Sequence, residues 1–163
     1  MAHAMFRSDN MAGTKLGQFL VSLKATADID NGNVVAIGAL LDGEREVRTY
    51  TTPTAAGKLG TIAIIASEEV DVTKKYNTVG GFTNKTGDIM RAYILHSGDE
   101  FSITADAFDT AESLTVAKGT IFELQAATKL KAVATATTST TTIGKCMAIE
   151  QDGATTWYVI RVD

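Results

Sequence analysis

Along the chain, short apolar runs alternate with polar turns, and stretches of helical period are scarce. Leu16–Lys24 predicts a first strand and Asn33–Leu41 a buried one. Arg45–Thr52 predicts a strand with one wet face, ended by Pro53, because proline cannot donate to an interior ladder. Thr61–Ser67 is an apolar run bounded by turn residues, as expected of a core strand. Further strands are predicted over Ile89–His96, Glu100–Thr104, Thr120–Gln125 and Leu130–Val133. Lys145–Gln151 and Thr156–Val162 are joined by Asp152-Gly153 in a closing hairpin. Asn31-Gly32 is another hairpin signal, since both residues tolerate positive φ. The best helix candidate, Ala105–Ser113, is short. Thr135–Thr142 is a low-complexity run, expected as a surface loop or edge. The pattern predicts an all-β domain of sandwich or barrel type, with about ten short strands and at most one or two short helices.

Met1–Lys15 fits no period. Met5, Phe6 and Met11 have no local apolar partner, so residues 1–15 are expected to form a flexible N-terminal arm, either a frayed terminus or a segment that docks elsewhere, and residues 16–163 a single β-rich domain. Phe82, Phe101 and Phe108 each sit beside a turn, where a monomer would leave apolar surface wet. They predict an interface within a homo-oligomer, since closed symmetry covers such patches on every subunit.

Composition narrows the class. The 163 residues are enough for one domain with a substantial core. Twenty-four threonines, joined by many valines and isoleucines, fit the pleated surface of strands. One cysteine excludes a disulfide framework and a multi-thiolate metal site. A net charge of −4 without a basic run argues against nucleic acid and anionic membranes as partners. No apolar stretch approaches the roughly 20 residues of a membrane-spanning helix. The first ten residues lack the apolar core of a signal peptide, so synthesis inside the cell is expected.

Several chemical motifs are tempting and incomplete. Asp28-Ile29-Asp30-Asn31-Gly32-Asn33 has calcium-loop composition, but Asn33 stands where the loop glycine belongs and Ala39 where a bidentate glutamate belongs. His96, Ser97 and Asp99 supply triad residue types, yet adjacent residues cannot place an imidazole between nucleophile and carboxylate. Asp99, Glu100, Asp106, Asp109 and Glu112 cluster in sequence, as solvated turn residues commonly do. Cys146 lies in an apolar alternation and is expected to be a small buried hydrophobe. Asn84-Lys85-Thr86 matches the glycosylation pattern. No catalytic, metal-binding or cofactor-binding residues are assigned, and the protein is expected not to be an enzyme.

Asp30-Asn31-Gly32-Asn33-Val34-Val35, Gly43-Glu44-Arg45 with Tyr50, Thr61–Ser67, Phe82-Thr83-Asn84-Lys85-Thr86-Gly87 and Gly98–Thr104 carry a resemblance. The chain resembles the capsid decoration, or cement, proteins encoded beside the major capsid protein of tailed bacteriophages. The resemblance implies a β-rich, often trimeric structural protein, made in the bacterial host cytoplasm and placed on the outside of the virion, whose partners are the major capsid protein and itself. Met5, Phe6 and Met11 would then form the capsid-binding arm. The alternative is a carbohydrate- or receptor-binding β-module of a virion fibre or adhesin, with Trp157, Tyr158, Tyr93, Tyr76 and Tyr50 as a stacking face.

Overall fold

The structure, a computed structural model, describes residues 3–70 and 79–163. These form twelve strands and one short helix: β1 (Phe6–Asn10), α1 (Ala12–Lys15), β2 (Leu20–Lys24), β3 (Val34–Leu40), β4 (Val47–Thr51), β5 (Ile62–Ile65) and β6 (Ile89–Ile94). There follow β7 (Glu100–Ile103), β8 (Phe108–Thr110), β9 (Ile121–Glu123), β10 (Leu130–Val133), β11 (Thr142–Asp152) and β12 (Thr155–Val162). Strands β2-β4-β3-β5-β6 close into a barrel, and β1-β7-β12-β11-β9-β10-β8 form a seven-stranded sheet. The expected all-β class is what the structure shows.

Two strands explain how the barrel and the sheet meet. Side chains alternate across a strand, so neighbours in sequence face opposite sides. In β5, Ala63 and Ile65 point into the barrel, while Ile62 and Ile64 point outward to the sheet. In β3, Val35 and Ile37 point inward, and Val34 and Ala36 outward. One barrel wall is therefore also one layer of a sandwich, buried on both faces. A strand buried on both faces reads as a continuous apolar run, which is why Thr61–Ser67 stands out in the sequence. The opposing layer supplies Phe101, Phe122, Leu130, Cys146 and Ile160.

The N-terminal segment is built into this sandwich. From Phe6 to Asn10 it pairs with β7, with Phe6 opposite Ile103 and Ser8 opposite Phe101. Ala4 and Met11 are each 1% exposed and belong to the larger core. On the outer face, Arg7 forms ion pairs with Asp9 and, at 2.7 Å, with Glu150 on β11, and lies over the Trp157 ring. Ser102 donates a hydrogen bond to Asp9. The described part of the expected arm is thus an edge strand with apolar anchors at both ends.

Two other expectations need correction. Ala105–Ser113 does not form a helix: Ala105–Ala107 is a single 3-10 turn, and Phe108 then enters β8, paired in parallel with β10. Tertiary packing decides this, since the Phe108 ring meets Phe122 and Tyr158 edge to face at centroid distances of 5.0 and 5.1 Å. Asn31-Gly32 does form a turn, with Gly32 at φ +80°, but it makes no hairpin of β2 and β3. Those strands are not neighbours, because β2 pairs with β4 and β6.

The β11–β12 hairpin at Asp152-Gly153 forms as read, and its close packing exposes a sensitive glycine. A Cβ on Gly144 would collide with the carbonyl group of Arg161 on β12, whose carbon would lie 2.7 Å away. Neither backbone can yield without opening the pair. Gly144→Ala should cost about 1–3 kcal/mol, as overpacking does. Thermal unfolding should show a melting temperature lower by roughly 3–10 °C. An unchanged midpoint would mean that the two strands are not this close.

Candidate functional site

The five barrel strands leave one end open. There β2, β4 and β5 begin and β3 and β6 end, as their mutual directions require. A cleft of about 690 Å³ occupies this mouth, within the size range of small-ligand and peptide-side-chain sites. Its floor is apolar, formed by Val21, Ile37 and Ile94 from the barrel's own inner cluster. A β-bulge shapes one wall. Ile37 pairs with Tyr50 and Leu40 with Arg48, so Gly38 and Ala39 together oppose Thr49. A Cβ at Gly38 would stand 2.9 Å from the Thr49 carbonyl oxygen, so only glycine allows this approach. Beyond the bulge, Leu40 is left 47% exposed at the rim.

Two arginines flank the floor. Arg48 lies two residues before Tyr50 on β4 and shares its inward face. Arg48 is half-buried, and among the described residues its guanidinium makes one hydrogen bond, to the Gly38 carbonyl oxygen at 3.3 Å. Arg45 is exposed on the same rim, beside Glu46. Neither arginine has a carboxylate partner among the described residues.

The residues nominated from sequence are distributed differently. Met11 is core, and Phe6 packs between Tyr93 and Phe101, with centroids 6.1 and 5.9 Å away. Met5 exchanges two hydrogen bonds with Thr104 through its backbone. The three therefore anchor β1 and do not form a free apolar arm. Phe101 and Phe108 are also core residues, 0% and 5% exposed, so the wet surface expected of them is absent; Phe82 is half-buried on the barrel side. Turns precede Phe101 and Phe108, but the alternation of β7 and the packing of β8 turn both rings inward.

The incomplete motifs have structural roles. Asp99 is buried and accepts hydrogen bonds from the backbone N–H groups of Ala12 and His96, at 2.8 and 2.9 Å. The His96 ring bonds the Ile94 carbonyl oxygen and packs on Phe19. Asn84, the glycosylation candidate, is 2% exposed, and its amide donates to the Ile29 carbonyl and to Asn31 Oδ1. Asn31 in turn bonds the backbone of Ser67 in both directions. Two of the segments that carry the resemblance, Asp30–Val35 and Phe82–Gly87, thus meet through a pair of buried asparagines. Sequence spacing holds no signal for that meeting.

The calcium-loop carboxylates have other partners. Asp30 accepts hydrogen bonds from His3 and from the Ala4 backbone. Asp28 pairs with Lys85 at 2.8 Å and with the Thr86 N–H at 3.0 Å. Among the described residues, no group of three or more His, Cys, Asp or Glu side chains is placed to hold a metal ion. Burial pushes the Cys146 thiol above its ordinary range, away from the reactive thiolate. Among the described residues, the nominated aromatic side chains do not assemble a stacking face. Trp157 is buried beneath Arg7, Tyr93 stacks on Phe6, Tyr158 and Tyr50 pack against the two cores, and Tyr76 lies outside the described residues.

The hydrogen bond from Lys85, followed by that from the Thr86 N–H, lowers the Asp28 carboxyl to about 2. A depressed folded-state value contributes stability above the unfolded value near 3.8, lost as pH falls toward 2. Asp28→Asn should therefore lower the melting temperature slightly at pH 7 and converge with the parent near pH 2. Added salt should shrink the difference, since both groups are exposed. Equal offsets at both pH values would exclude this pairing as the cause. Against protein-family models and against curated proteins, the chain matches none.

Proposed function

We propose that the protein is a structural virion protein that binds the outside of a tailed-phage capsid and stabilises it as a decoration protein. The observation that carries a binding role is the open barrel end. Ile37 and Ile94 remain partly accessible in its floor, and Leu40 stands half-exposed above them. Open apolar surface framed by polar residues is characteristic of protein interaction sites. The capsid as partner comes from the resemblance of the turn-and-strand segments. Burying both layers of a β-sandwich and pinning its loops with side chains such as Asn31, Asn84 and Glu123 suits a rigid clamp.

Self-association, as a trimer at local three-fold sites, belongs to the same proposal and rests on the resemblance, since Phe101 and Phe108 are used in the core. The test is co-sedimentation of purified protein with undecorated capsids, followed by thermal release of the packaged DNA. Saturable co-sedimentation and a higher release temperature are expected. Protein remaining in the supernatant, with an unchanged release temperature, would overturn the proposal.

A further inference from the structure

The barrel mouth combines features that together specify a ligand chemistry. Its floor is apolar, from Val21, Ile37 and Ile94. Arg48 projects on the inward face and is half-buried there. Among the described residues its single acceptor is the Gly38 carbonyl oxygen, at 3.3 Å. A guanidinium has five N–H donors in a planar fork that matches a carboxylate. Arg45 brings a second guanidinium to the rim, against one carboxylate, Glu46. Asp42 and Glu44 stand on the same β3–β4 turn just outside the lining, so the two arginines, and not a net positive field, distinguish the cleft. The rim also includes Gly17 and Gly60, whose missing side chains would meet no neighbour within 4 Å.

From this we infer that the open end of the barrel binds an extended peptide segment in which acidic and apolar residues alternate. An apolar side chain enters the floor beside Ile37 and Ile94, and the adjacent carboxylate pairs with Arg48 and Arg45. In the capsid reading, on which this rests only for the source of the segment, that segment belongs to the major capsid protein. An extended chain laid across the mouth sends alternate side chains toward the floor, where Arg48 also projects, and the ones between them toward the rim that Arg45 lines.

The probe is fluorescein-labelled Leu-Glu-Leu-Glu-Leu, compared with its isostere Leu-Gln-Leu-Gln-Leu by fluorescence anisotropy on the full chain. Saturable binding of the acidic peptide is expected, about tenfold tighter than the glutamine peptide and weakened by salt. Arg48→Gln should abolish that preference and leave the glutamine peptide unaffected. Arg45→Gln, at an exposed position, should reduce the preference severalfold without loss of folding, which guards against an Arg48 variant that fails to fold. Equal binding of the two peptides, no saturable binding, or tighter binding of dodecanoate than of the acidic peptide would each overturn the inference. A capsid arm separates the two claims. If Arg48→Gln protein decorates capsids as well as the parent, the inference fails while the capsid reading stands. If the parent itself does not decorate, the capsid reading fails, and the peptide measurements decide this site alone.

Discussion

Removal of residues 1–15 should unfold the protein or leave it with little of its stability. Ala4 and Met11 are among the least exposed side chains of the larger core. Losing a buried methionine to a cavity costs about 2–5 kcal/mol. The β1 ladder with β7 and the Arg7–Glu150 pair across the sheet would go with it. Asp99, 3% exposed, would lose the Ala12 N–H that it accepts. An under-satisfied buried group adds a further ~1–3 kcal/mol. The total approaches the roughly 5–15 kcal/mol that holds a typical domain together. Urea unfolding followed by circular dichroism compares the parent with residues 16–163. A midpoint unchanged by truncation would mean that the segment is an appendage after all.

Phe101→Ala should be the most damaging of the single aromatic truncations. The ring is fully buried at the centre of the sandwich, against Phe6, and its strand is flanked by β1 and β12. A buried phenylalanine truncated to alanine costs about 3–5 kcal/mol, or roughly 6–20 °C in melting temperature for a chain of this size. The size of the loss should not change with protein concentration. An interface residue behaves otherwise, because mass action ties its contribution to the amount of assembled protein. Leu40→Ala, at the exposed rim of the barrel mouth, should change stability by less than about 1 kcal/mol. A concentration-dependent loss for Phe101→Ala would restore the interface role read from its place beside a turn.

What the sequence revealed and what it hid follow from where the signals lie. Ile62–Ile65 is legible because burial on both faces leaves no polar position to interrupt the run. The β11–β12 hairpin is legible because Asp152-Gly153 carries its own turn chemistry. Strand β1 is hidden because Arg7, Ser8, Asp9 and Asn10 are polar, and an edge strand is held by backbone pairing that any side chain permits. Strand β8 has three residues, and its place is set by Phe108 meeting Phe122 and Tyr158 from distant strands. The barrel closes through a parallel β2–β4 pairing, a long-range event without local signature. Arg48 looks like one residue of a wet face in Arg45–Thr52. Only closure of the barrel shows that the face shared by Arg48 and Tyr50 is the inside.

The proposed role is tested most directly by a reconstruction of decorated particles at side-chain detail. The open barrel end should face the capsid, with Arg48 against an acidic residue of an extended capsid segment and Leu40 covered. Capsid density joined to the outer face of the seven-stranded sheet, with the barrel mouth left in solvent, would contradict it.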